Sequence, residues 1–153
     1  MNSEVLLSKL RKPDTKLTII LILSGVVCVV GGTAAFAFPV STARGIGYAF
    51  AVPGGKGEFM TFYGGFYAGI GIFLLLAARI RSLQTGAVAF LAVSASTAML
   101  VRVYSLVQFE VSQPIFYELL LGEVLFVAAG CLGWYWTTQA SEDRKTRTGI
   151  DSQ

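Results

Sequence analysis

The chain has 153 residues, of which 54% are hydrophobic and only 14% are charged. Soluble domains carry about a quarter charged residues, so this composition excludes an ordinary soluble domain and favours an integral membrane protein. The absence of histidine from the chain also excludes histidine-ligated haem or copper, most zinc catalysis and any Ser-His or Cys-His nucleophile pair within it.

The formal net charge of +3 comes from basic residues that lie beside apolar stretches. This placement favours the positive-inside rule of membrane proteins over a nucleic-acid partner. The two cysteines, Cys28 and Cys131, each lie within an apolar stretch and form no C-x-x-C motif. We interpret them as inert buried thiols, and we expect neither a cofactor nor a metal.

Four apolar stretches are each long enough to cross a hydrocarbon core of about 30 Å as a helix. They cover about residues 17–38, 59–78, 83–106 and 115–136. The first is longer than the roughly 7–15 apolar residues of a signal peptide, so we expect it to be retained. The sequence therefore predicts an all-α fold, a bundle of four transmembrane helices over residues 17–137.

Three polar segments flank these spans. Residues 1–16 form a basic head that could begin with a short interfacial helix, and residues 138–153 form a polar tail that we expect to be disordered. The connection 39–58 is rich in glycine and contains Pro53-Gly54-Gly55, which is typical of turns. The sequence does not decide whether this connection is a cap folded against the bundle or a plain loop.

The orientation follows from lysine and arginine. Basic residues are frequent in the head, between the second and third spans and in the tail: Lys9, Arg11, Lys12, Lys16, Arg79, Arg81, Arg144, Lys145 and Arg147. The other side carries only Arg44 and Lys56. The positive-inside rule therefore predicts that both termini are cytoplasmic, with Trp134, Tyr135 and Trp136 in the aromatic belt at the inner interface.

Reporter fusions test this orientation. A fusion at Asp151 is expected to give a cytoplasmic signal and a fusion at Gly55 a periplasmic one, because the basic segments should stay inside. The opposite pattern of signals would contradict the orientation.

Small residues on one helix face predict where helices pack in a membrane, because they permit close approach of two backbones. The predicted packing positions are Gly25, Gly32, Gly64, Gly65, Gly69, Gly71 and Gly122. Cys28 shares the face of Gly25 and Gly32. A phosphate-binding loop at Tyr63-Gly64-Gly65 would need a preceding strand, which the sequence does not predict.

Five polar side chains inside or at the edge of the spans form the candidate site: Arg102, Glu118, Glu123, Tyr63 and Tyr67. An ionisable group in hydrocarbon costs at least about 2.5–3.5 kcal/mol and therefore normally has a partner. The predicted orientation brings all five into one layer of the outer leaflet. We expect Arg102 to pair with Glu118 or Glu123, either as a structural ion pair or, in decreasing order of preference, as an amphiphile site, an ion pathway or a catalytic site.

Glu118 and Glu123 are five residues apart and point about 140° away from each other on a helix. They are therefore not expected to face one small ligand together. Because Glu118 shares the small-residue face of Gly122, we assign it to the bundle interior. Glu123, with Val127, Gly130 and Trp134, is then expected to face a groove or another chain, in competition with a simple pair to Arg102.

The chain resembles an uncharacterised bacterial family of four-helix membrane proteins within the DoxX-like group. The resemblance covers about residues 17–137 and depends on three motifs along the chain: Tyr63-Gly64-Gly65 with Gly69-x-Gly71 and Ala77-Ala78-Arg79, then Arg102, then Pro114 followed by Glu123 before Leu125. The Asp-Gly turn common in that family is replaced by residues 109–112, FEVS. Some DoxX-like proteins are subunits of quinone-linked oxidoreductases, so the resemblance implies a subunit of a complex.

These observations lead us to expect a non-catalytic accessory or structural subunit of a bacterial inner-membrane complex, with lipids and other membrane subunits or further copies of itself as partners. The alternatives are a protein that binds a lipid, quinone or other amphiphile in an outer-leaflet pocket, or a small transporter. The uncharged first span counts against a transporter like the small multidrug transporters, which have a glutamate there. An enzyme is the least favoured of these classes.

Overall fold

The computed structural model describes residues 13–110 and 113–150, with residue 53 and residues 140–150 described by their backbone only. Its elements are α1 (Thr15–Ala37), α2 (Pro39–Gly45), α3 (Pro53–Phe59), a π-helical segment (Met60–Phe66), α4 (Tyr67–Arg79), α5 (Arg81–Gln108) and α6 (Pro114–Ile150). Every element in the described part of the chain is helical. The possible interfacial helix before Pro13 lies outside the described residues.

Among the described residues, four helices are long and apolar enough to cross a membrane: Thr15–Ala37, Gly54–Arg79, Arg81–Gln108 and Pro114–Gln139. The second of them joins α3, the π-helical segment and α4 without interruption. The predicted all-α fold with four spans is therefore confirmed. Antiparallel packing of successive spans places the start of α1 and the end of the fourth span on one side, and which side this is stays a prediction.

The ends of several helices have clear local causes. Asp14 caps α1, where its carboxylate accepts hydrogen bonds from the backbone N–H of Lys16 at 2.9 Å and of Leu17 at 3.4 Å. Proline opens α2, α3 and α6, where its missing N–H costs no helical hydrogen bond. The described part of the tail, residues 138–150, differs from the expectation of disorder, because the backbone of α6 remains helical through Ile150.

The bundle consists of two closely packed antiparallel pairs, α1 with α4 and α5 with α6. Gly25 and Gly71 lie against each other's helices, as do Gly32 and Gly64, and a Cβ at Gly32 would come within 2.6 Å of the Ala68 backbone nitrogen. These four glycines therefore set the α1–α4 distance. The predicted packing positions Gly65, Gly69 and Gly122 have no neighbour within 4 Å of such a Cβ.

On α6 the close contact falls on Gly130 and Gly133. A Cβ at Gly130 would lie 2.5 Å from the Ala92 backbone nitrogen, and one at Gly133 would lie 2.8 Å from the Val88 side chain. The assignment of Gly130 to an outward face was therefore wrong. The helix is rotated so that Gly130, and not Gly122, lies against α5.

The main apolar core lies at the end of the bundle where the chain enters α1. It contains Leu17, Leu21, Cys28, Leu74, Ala77, Ala78, Ala87, Val88 and Leu91. Buried Gln84 ties three helices together here: its amide donates to Thr18 Oγ1 at 2.9 Å and to the Ala78 carbonyl at 3.2 Å, and it accepts from the Asp14 backbone N–H at 3.0 Å. This end is closed by packing, which leaves the opposite end for a cavity.

Candidate functional site

The connection between the first two spans folds over the opposite end of the bundle as a cap. Ala35 of α1, Ala43 of the cap and Phe59 of α3 form a small buried core there, with Ile46 and Phe50 packed against them. Gly47 has a φ of +83°, which favours glycine, and a Cβ there would lie 3.0 Å from the Phe116 ring of α6. Of the two structures left open for this connection, the cap is the one observed.

A cavity of about 380 Å³ lies beneath the cap. All five polar residues predicted for the site line it, namely Tyr63, Tyr67, Arg102, Glu118 and Glu123, and so do Thr42 and Tyr48 of the cap. The remaining wall is mainly apolar, with Val27, Ala35, Ile46, Phe116, Leu119 and Phe126. The cavity therefore has a polar and an apolar side.

The ion pair in this cavity joins Arg102 to Glu123. Arg102 Nη2 lies 2.7 Å from Glu123 Oε1, and Arg102 Nε donates to the same oxygen at 2.7 Å. Their side chains are 26% and 17% exposed. The choice between Glu118 and Glu123 as the partner, which the sequence left open, is thereby settled in favour of Glu123.

The geometry leaves one carboxylate oxygen without a donor. Because both arginine nitrogens contact Oε1, Glu123 Oε2 stays buried and has no hydrogen-bond partner among the described residues. A buried acceptor without a partner loses its hydration without compensation. This oxygen is therefore free to accept a hydrogen bond from a molecule that enters the cavity.

The two glutamates line the same cavity, contrary to the expectation that they could not face one ligand together. The packing face of α6 runs through Phe126, Gly130 and Gly133, and on a regular helix Glu123 and Glu118 lie about 60° and 80° to either side of Phe126. Residues 140° apart can therefore straddle one face. The prediction that Glu118 is the interior glutamate and Glu123 the outer one was wrong, since Glu118 is exposed and Glu123 half-buried.

Two tyrosines connect the cap to the second span. The hydroxyls of Tyr48 and Tyr63 lie 2.8 Å apart in a hydrogen bond, and the Tyr63 ring stacks on Phe59 with the ring centroids 4.7 Å apart. Tyr63 lies in the π-helical segment, and such local widening of a helix occurs frequently at functional sites. The widened turn sets the direction in which Tyr63 leaves its helix.

The sequence did not reveal the roles of Tyr48, Thr42 and Phe116. Tyr48 directly follows Gly47 in a glycine-rich connection, and this aromatic residue among turn residues was the one available signal. The periodicity of the apolar residues did not reveal the π-helical segment either. Such a segment adds only one residue to the α-helical repeat. In the described part of the chain, no group of three or more His, Cys, Asp or Glu side chains is placed to hold a metal ion.

Comparison with known proteins identifies the family to which the chain belongs. A domain of unknown function (DUF4345) matches residues 16–136, a range that includes the cap and all the residues lining the cavity. No curated protein and no solved structure is significantly similar to the chain. The match covers far more than half of the 153 residues, so the protein belongs to the DUF4345 family, and its four spans make it a multi-pass membrane protein of that family.

Proposed function

We propose that this protein binds an amphiphile in the cavity beneath the cap, without acting as an enzyme. The observation that carries the proposal is one cavity with a charged pair and tyrosine hydroxyls on one side and apolar side chains on the other. Such a division between a few placed polar groups and an apolar wall is typical of ligand sites. The polar side fits a headgroup and the apolar side the start of a chain.

The ion pair itself supports a binding role over a purely structural one. A pair that only fixes helix register is most stable when the remaining lone pairs are satisfied, and Glu123 Oε2 is not satisfied by the described residues. Exposed Glu118 also lines the cavity, so the cavity reaches the molecular surface and a ligand can enter. The predicted orientation places this opening in the outer leaflet.

Filling the cavity is expected to remove the bound molecule. Gly122 lines the cavity and has no neighbour within 4 Å of an added Cβ, so Gly122→Phe places a ring in the ligand's space. Native mass spectrometry of the protein purified in mild detergent should show a retained amphiphile on the wild type and its loss from this variant.

Gly86→Phe is the matched control, because Gly86 also has open space around it but does not line the cavity. Retention of the same molecule by the wild type and both variants would contradict binding in the cavity. A wild-type spectrum with no retained molecule would count against the proposal as well.

An accessory subunit of a bacterial inner-membrane complex, related to the DoxX-like group, is the second candidate. It is supported by an apolar groove of about 580 Å³ lined by Gly65, Gly69, Ile70, Phe73 and Phe90. Gly65 and Gly69 form a G-x-x-x-G pair at which an added Cβ would meet no atom within 4 Å in the described chain, and such pairs favour helix association. The same native spectra would show a defined protein partner or a second copy if this candidate is right.

A further inference from the structure

We infer that the headgroup bound in the cavity carries a primary ammonium group. This inference rests on the proposed function, because it specifies the ligand of the same cavity. Three observations lead to it: the charge of the lining, the unsatisfied oxygen of Glu123 and the tyrosines that line the same cavity.

The charges that line the cavity favour a cation. One arginine and two glutamates give a formal charge of −1, and the arginine is already paired with Glu123. Glu118 has no cationic group within 4.0 Å among the described residues. An anionic headgroup would therefore meet an uncompensated carboxylate, whereas a cation would neutralise the site.

The unsatisfied oxygen of Glu123 calls for a donor hydrogen. Glu123 Oε2 is buried and accepts nothing from the described residues, and a charged N–H is the donor with which a carboxylate forms its strongest hydrogen bonds. A quaternary ammonium group has no N–H and cannot supply this bond. A primary ammonium group has three such hydrogens, so it can serve more than one acceptor.

The tyrosines offer further acceptors and ring faces. Tyr48 and Tyr63 share one hydrogen bond between their hydroxyls, which leaves lone pairs on both oxygens. Tyr67 also lines the cavity, and tyrosine rings attract cations. A volume of about 380 Å³ is near the lower end of the roughly 300–1,000 Å³ of ligand pockets, which suits a headgroup with a single chain.

Four probes with the same chain separate the chemical classes: dodecylamine, dodecyltrimethylammonium, dodecanol and dodecyl phosphate. Thermal unfolding of the purified protein in neutral detergent at several probe concentrations yields a dissociation constant for each. We expect dodecylamine to bind most tightly. The Glu123→Gln variant should bind it about tenfold or more weakly, as expected for the loss of a charge-assisted hydrogen bond.

Glu118→Gln provides a second variant, which removes a cavity charge at an exposed position and leaves the ion pair intact; it should also weaken dodecylamine binding. Glu58→Gln is the control, since Glu58 is exposed and does not line the cavity; it should leave binding unchanged. Probe binding that persists in the Gly122→Phe variant occurs in the micelle and not in the cavity.

The possible results separate the inference from the proposed function. Cavity binding of dodecyltrimethylammonium, dodecanol or dodecyl phosphate at least as tight as that of dodecylamine would overturn the inference of a primary ammonium group and leave amphiphile binding in place. If Gly122→Phe abolishes the binding of none of the four probes, both the ammonium inference and the proposed function are overturned. Lipid nanodiscs distinguish the sources of the ammonium group. Displacement of dodecylamine by phosphatidylethanolamine but not by phosphatidylcholine would identify a lipid amine as the ligand. If neither lipid displaces dodecylamine, the ligand is a free amine.

Discussion

Replacing Arg102 by methionine is expected to destabilise the protein by up to about 3–5 kcal/mol, the cost of leaving one half of a fully buried ion pair without its partner, since this pair is only partly buried. Glu123 is only 17% exposed, so its carboxylate could not recover full hydration. Glu123→Leu should destabilise the protein by a similar amount, because it leaves the Arg102 guanidinium without its partner. The double variant is expected to be more stable than the sum of the single effects predicts, because two apolar side chains leave no unpaired charge.

A double-mutant cycle measures this coupling from the free energy of unfolding in mixed micelles of a neutral and an anionic detergent. We expect a coupling of at least about 1 kcal/mol between Arg102 and Glu123, and near additivity, within about 0.5 kcal/mol, between Arg102 and Glu118. Arg44→Met is the control, since Arg44 is exposed and should affect stability little. An additive Arg102–Glu123 cycle would contradict the ion pair.

Two adjacent glycines of α1 are expected to respond to alanine with opposite signs. A Cβ at Gly32 would lie 2.6 Å from the Ala68 backbone nitrogen and 2.8 Å from the Gly64 carbonyl oxygen, whereas Gly31 has no neighbour within 4 Å. Gly32→Ala must push two helices apart and should cost about 1–3 kcal/mol. Gly31→Ala should stabilise the protein by about 0.5–1 kcal/mol, because alanine has less backbone freedom to lose.

The same unfolding measurement compares the two variants, and each serves as the other's control because they are neighbours on one helix. Gly130→Ala extends the test to the α5–α6 pair, where a Cβ would lie 2.5 Å from the Ala92 backbone nitrogen. Equal effects of Gly31→Ala and Gly32→Ala would show that the α1–α4 contact is not as close as the structure has it.

The sequence alone determined the fold class and the position of the polar layer. Length and hydropathy are local properties, so the four spans could be located within a few residues of their observed bounds. Polar residues are conspicuous within apolar stretches, and the antiparallel order of short-looped spans brings those at the same depth together. For this reason Arg102, Glu118, Glu123, Tyr63 and Tyr67 could be named, and all five line one cavity.

Tertiary structure decided which of these groups touch. The partner of Arg102 depends on the rotation of α6 about its axis, and the sequence placed Gly122 at the helix contact where the structure has Gly130. That rotation follows from the fit of Gly130 and Gly133 against Ala92 and Val88, a property of two surfaces together. The choice of a cap over a plain loop and the role of Tyr48 also could not be predicted from the sequence. A glycine-rich connection has no periodicity, and its path is fixed by long-range contacts with Tyr63 and Phe116.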